Sequence, residues 1–257
     1  MTRPAQNLLL ITIGAAVLWI TLGSGEYVNY VKPGFRYLLV PAGAALVLLG
    51  AAGLRREWRA PSPDDLPATS PEGPASSKGP ADHGHDHSGG GPRVAWLLCL
   101  PVLAIFVVAP PALGSFTAAR DTGRAAPPPA PPPQGFGALP RDGGPVAMTM
   151  GEFIGRSYEA QTGQAATLEG IPVRLTGFVT PRGEDGWQVT RLKMACCAGD
   201  AIPFPVIVKG LRRPPADAWV QVVGTWKPPA PGTSATGVHE IQGTSVRRVG
   251  KPRNPYE

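Results

Sequence analysis

Trp187-Gln-Val-Thr-Arg-Leu-Lys-Met194 runs directly into Ala195-Cys-Cys-Ala-Gly-Asp200, and the reading of this stretch decides the fold. Side chains alternate faces along a strand. Trp187 and Val189 share one parity, whereas Leu192 and Met194 share the other. The switch predicts a β-bulge near Thr190 and Arg191, where one extra residue re-aims the strand. Four more strands are expected around it. Ile171 to Val179 alternates through Val173, Leu175 and Gly177, and Phe204 to Val208 through Val206. Trp219 to Trp226 alternates through Val220, Val222 and Gly224, and His239 to Val246 closes the set. Gly183 to Gly186 supplies a hairpin turn, and Leu211 to Ala218 reads as a helical or turn connection. Ahead of the strands, Met148 to Gly155 reads as a short helix, with Thr149 as cap and Glu152 at the capping-box position. Five short strands with an early bulge and an insert after the third predict an all-β, OB-like five-stranded barrel over residues 146–257. An SH3-like barrel or small sandwich is the alternative.

Upstream the composition changes. The chain has 257 residues, 33 Gly and 32 Pro, with only 16% charged residues, so linkers are expected as well as turns. The net charge is +6, and many arginines flank apolar runs, which favours an anionic lipid surface over nucleic acid. Leu8 to Leu22 is apolar without a charge, and residues 37–54 form a second such run, ended by Arg55-Arg56-Glu57-Trp58-Arg59. Residues 1–59 are therefore expected to hold two transmembrane helices joined by a short outer loop. No convincing cleavage site follows the first run, which argues for a retained helix over a signal peptide. Residues 60–92 read as a disordered cytoplasmic loop, 93–113 as a third transmembrane helix and 114–145 as a Pro-rich extracytoplasmic stalk. The arginines at 3, 55, 56, 59 and 93 fall on one side if three spans exist. The positive-inside rule then places the N-terminus in the cytoplasm and the C-terminal domain outside. The whole is expected to be a multi-pass protein of the cell membrane.

Two ligand clusters stand out. Cys196 and Cys197 with Asp200 offer two thiolates and a carboxylate, a set that suits zinc or another soft or borderline ion. Adjacent strand residues point to opposite faces, so both thiols reach one target only at a corner, which Ala198 to Asp200 can supply. A full tetrahedral site then needs His239, Glu240, water or a partner chain. A vicinal disulfide is the second state of the pair, and packing without chemistry the third. His239 shares parity with Ile241 and reads as a partly buried histidine. The second cluster is His83, His85, Asp86 and His87, where imidazole and carboxylate suit zinc, nickel or copper(II). The expected topology puts the two clusters on opposite sides of the membrane. Cys99 lies inside an apolar run and reads as a small hydrophobe.

Three N-terminal spans, the His-rich loop, and a C-terminal module with Gly177-Phe178-Val179 followed by Arg191, Met194, Cys196, Cys197, Asp200, Ala201 and Pro203 resemble the YcgQ-like family of bacterial membrane proteins. The family is described as permease subunits. The resemblance implies a multispan membrane permease as partner and implies no reaction. The chain contains no Gly-x-Ser-x-Gly, P-loop, His-Glu-x-x-His or Cys-x-x-Cys, so it is not expected to be an enzyme. The expected function is that of a membrane-anchored accessory subunit of a permease, whose outer barrel binds a metal ion through the cysteine pair. Nucleic acid is not an expected partner, because the aromatics are few and scattered. A thiol/disulfide redox protein and a protein-binding barrel are the alternatives.

Overall fold

The computed structural model describes residues 3–59, 112–120, 131–133, 135–141, 143–164, 167–228 and 237–257. The histidine tract 83–87, the third apolar run and Cys99 lie outside the described residues. The chain divides into two units, Met1–Gly25 with Phe35–Pro110, and Glu26–Gly34 with Pro111–Glu257.

In the first unit, α1 (Arg3–Leu18) widens into a final π-type turn, Trp19–Gly23, and α2 spans Arg36–Arg59. Both are long and apolar enough to cross a bilayer. The threonines of the first helical segment are satisfied locally: Thr12 Oγ1 and Thr21 Oγ1 donate to the carbonyls of Leu8 and Val17 one turn back. Small residues let the two helices approach closely. A Cβ added to Gly14 would stand 2.7 Å from the Gly43 carbonyl oxygen, and one on Gly50 2.6 Å from that of Asn7. Packing through glycine is the means by which apolar helices associate where lipid removes the hydrophobic drive. The large side chains point away: Trp19, Leu38, Leu48 and Leu49 are all exposed.

The second unit is a six-stranded sheet beside two helices. α3 (Ser115–Arg120) and β1 (Val146–Ala147) precede α4 (Met150–Gln161). Then come β2 (Pro172–Arg182), β3 (Gly186–Lys193), β4 (Ile202–Lys209), β5 (Trp219–Lys227) and β6 (Glu240–Arg248). β1 is a sixth strand beyond the five expected, and its two residues are too few to show an alternation. The sheet order is β1-β2-β3-β4-β6-β5, and β5 also pairs with β2, so the pairings from β2 onward form a closed ring. β2 makes this possible by serving two partners. Its first half, Pro172 to Phe178, lies against β5, and its second half, Phe178 to Arg182, against β3. Gly177 sits at the changeover, where a Cβ would stand 2.5 Å from the Thr190 carbonyl oxygen. β4 and β6 run parallel, and the other pairings within the ring are antiparallel.

The predicted bulge at Thr190 and Arg191 does not exist. β3 keeps one register against β4 from Gln188 to Lys193, and the irregularity of the sheet lies between Val223 and Gly224 in β5. The parity switch has another cause. Trp187 and Val189 face a first core with Phe153, Val206 and Ile241, whereas Leu192 and Met194 face a second with Phe178 and Tyr256. β3 is thus covered on both faces, and its buried hydroxyl at Thr190 is paired with that of Thr180 at 3.0 Å. α4 closes one end of the first core with Met150, Phe153 and Ile154. Its predicted cap is present: Thr149 Oγ1 accepts from the Glu152 amide at 3.0 Å.

Candidate metal centre

The cysteines lie past the last paired residue of β3, where the alternation that would separate them no longer applies. The chain bends through Ala195 to Cys197, makes a single turn over Ala198–Asp200, and enters β4 at Ile202. That turn is built around one carboxylate. Asp200 Oδ1 accepts from the Ala195 amide at 2.9 Å, and Oδ2 from the amides of Cys196 at 2.7 Å and Cys197 at 3.3 Å. Converging backbone N–H groups of this kind form an anion-holding nest. In return, the Cys197 sulfur accepts from the Asp200 amide, which gives the turn a reciprocal cap.

The result is a cluster in which two sulfurs and a carboxylate oxygen all lie within 4.8 Å of one another. Cys196 is exposed, Cys197 half-buried, and neither is in a disulfide. The hydrogen bond from the Cys196 thiol, helped by the backbone amides, holds the Asp200 carboxyl down at about 2. The same bond, followed by that to Cys197, pushes the Cys196 thiol up to about 12. At neutral pH Cys196 therefore carries a proton that a metal must displace, as ligand thiols require. The donor set fits a tetrahedral zinc-like ion with three protein ligands and one open position.

His239 and Glu240 do not supply a fourth ligand. His239 is 6% exposed, with Nδ1 2.9 Å from Ser157 Oγ. Trp226 Nε1 and Gln161 Nε2 already donate to that oxygen, so the Ser157 hydroxyl donates to Nδ1 and the ring proton sits on Nε2. Glu240 lies 3.7 Å from both Lys209 and Lys227. His239 is thus the buried histidine that its parity with Ile241 implies. Burial pulls His239 down to about 4 from an ordinary 6.5. Its contribution to stability is therefore complete above pH 6.5 and is lost as pH falls through the interval to 4, by roughly 3 kcal/mol. Denaturant unfolding of the full chain at pH 7.5 and pH 4.5 should show this loss, and His239→Gln should show much less of it.

Three supports hold the corner. Arg191 donates to the carbonyls of Pro255 and Asn254 at 3.1 and 2.7 Å, reaches that of Thr176 at 3.3 Å, and lies over the Trp219 ring. The C-terminal residue is bound next to the corner: the Met194 amide donates to the Glu257 carbonyl at 3.0 Å. The Glu257 side chain accepts from the first two amides of α4, at 2.9 and 3.0 Å. The third support is the loop 26–34, which pairs with the corner through Val31 and Cys197. Arg191 alone carried a signal, since it belongs to the motif shared with the resembled family. Beside these supports, β2, β3 and β4 flank a cleft of about 970 Å³ that Arg156, Lys193 and Phe204 help to line.

Residues 152–257 match the model of the DUF1980 C-terminal domain. No curated protein and no solved structure matched the chain. The matched stretch begins inside α4 and takes in β2 to β6, the cysteine corner, Arg191, Tyr256 and Glu257. β1 and the loop 26–34, which complete the same unit, lie outside the matched residues.

Proposed function

We propose that the chain is a membrane-anchored accessory subunit of a permease, whose C-terminal domain binds zinc or another soft or borderline ion through Cys196, Cys197 and Asp200. The observation that carries this is the convergence of two sulfurs and one carboxylate within 4.8 Å on a partly exposed turn. Structural zinc sites are closed by four protein ligands, whereas this one offers three. A partly exposed site with an open position suits capture and hand-over of an ion better than bracing of a fold. The closed ring of pairings and the parallel β4–β6 contact support an OB-like barrel. The apolar faces of α1 and α2 provide the surface for lipid and for a multispan partner. The grouping of loop 26–34 with the C-terminal domain supports placing that domain on the side of the outer loop, extracytoplasmic by the distribution of arginines. His83, His85, Asp86 and His87 then form a second zinc-type ligand tract on the cytoplasmic side.

The redox reading rests on the adjacency and exposure of the same cysteines. It is the weaker one, because a thiol held at about 12 supplies little thiolate to attack a disulfide. Alkylation of the full chain, with and without reductant, followed by mass spectrometry and elemental analysis separates the two. Metal with two alkylatable thiols after chelation supports the proposal. A metal-free pair that cycles between thiol and disulfide overturns it.

A further inference from the structure

The loop Glu26–Gly34 joins the two apolar helices, yet it clusters with the C-terminal domain and not with the helices. Part of its attachment is to the cysteine turn. The Lys32 amide donates to the Cys196 carbonyl at 3.1 Å, and the Ala198 amide to the Tyr30 carbonyl at 2.8 Å. Val31 and Cys197 form an antiparallel bridge between these two bonds. Of the two cysteines, Cys196 thus gives its carbonyl to the loop, whereas the Cys197 carbonyl accepts from the Asp200 amide within the turn at 3.0 Å. A second attachment lies outside the turn. Tyr256 Oη donates to the Asn29 carbonyl at 3.0 Å, and Lys251 Nζ reaches Asn29 Oδ1 at 3.4 Å. Lys32, Pro33 and Gly34 also border a cavity of about 200 Å³ shared with Met194 and Tyr256.

We propose that this loop is the read-out of the cysteine corner: an ion held by Cys196, Cys197 and Asp200 stabilises the docked loop, and the effect passes by chain continuity to α1 and α2. The inference rests on the metal-binding proposal above and extends it to regulation. Its physical basis is linkage. The three ligand atoms converge in the state in which the loop is docked, so an ion binds that state best and shifts the population toward it. Coupling is reciprocal, so loosening the loop must weaken the ion by the same factor.

The test uses the full chain in detergent under reducing conditions, with zinc as the probe. Hydrogen exchange at Lys32 and Ala198 should slow by about 5-fold or more on zinc addition, the lower end of ordinary allosteric coupling. Tyr256→Phe removes the bond to Asn29, together with the one that Tyr256 Oη accepts from the Leu113 amide, without touching the turn, and should lower zinc affinity by several-fold. Lys32→Pro removes the amide that reaches Cys196 and should lower it further. If zinc binds but exchange in the loop is unchanged and both variants bind normally, the coupling is wrong and the metal site stands. If the wild-type chain binds no zinc, the metal-binding proposal fails and takes the coupling with it.

Discussion

The full-length chain carrying Cys196→Ser and Cys197→Ser will bind zinc at least about 100-fold more weakly than the wild type, and its fold will persist. Loss of an outer-sphere partner alone costs a metal site about 10- to 100-fold, so loss of two coordinating thiolates must exceed that. Serine hydroxyls do not replace them, because they neither ionise near neutral pH nor offer a soft donor. The fold is spared because neither cysteine belongs to either core, and the Asp200 carboxylate still collects the amides of Ala195, Cys196 and Cys197. Competition against a chelator of known affinity reads the first part, and thermal unfolding of chelator-treated protein reads the second. Unchanged affinity in the double variant would remove the corner from the account. A metal-free protein that unfolds on substitution would make the cysteines structural.

Arg191→Met will destabilise the C-terminal domain by about 4 kcal/mol, more than its half-buried position alone suggests. The guanidinium serves three carbonyls from two separate segments, Thr176 in β2 and Asn254 with Pro255 near the C-terminus. Hydrogen bonds from a charged group contribute about 1.5–3 kcal/mol each, with the long bond to Thr176 at the weak end. Methionine retains the apolar stem over Trp219 but leaves those carbonyls without their donor. The loss propagates, because the segment that Arg191 pins also carries Glu257, which binds the Met194 amide and caps α4. Denaturant unfolding of wild type and variant in the same detergent measures the difference. A change below about 1 kcal/mol would show that the terminal segment is held by its other contacts.

The strands were legible because alternation of Val, Leu and Ile with polar residues is a local signal. Ile171 to Val179 and Trp219 to Trp226 needed only period-two counting, and Thr149 with Glu152 needed only a three-residue spacing. The bulge was misplaced because parity alone does not distinguish a re-aimed strand from one buried on both faces. Leu192 and Met194 face a second cluster that contains Ala118 and Tyr256, residues far away in the chain. The cysteine turn was legible as a ligand set, since Cys196, Cys197 and Asp200 are neighbours in sequence. Its supports were not. Nothing about Asn29, Tyr30 or Val31 announces pairing with residues more than 160 positions later, and backbone hydrogen bonds carry no side-chain signature. His239 reads as a partly buried histidine from its parity with Ile241, and it is buried; what its parity could not show is its partner, Ser157, 82 positions upstream.

Titration of the reduced, full-length wild-type chain with cobalt(II) tests the metal corner most directly, because cobalt takes zinc sites and reports thiolate coordination by a charge-transfer absorption. The account predicts one equivalent bound, with a thiolate-to-cobalt band of the intensity of two sulfur ligands, abolished in the double serine variant. Binding without that band, or a band that survives in the variant, would contradict it.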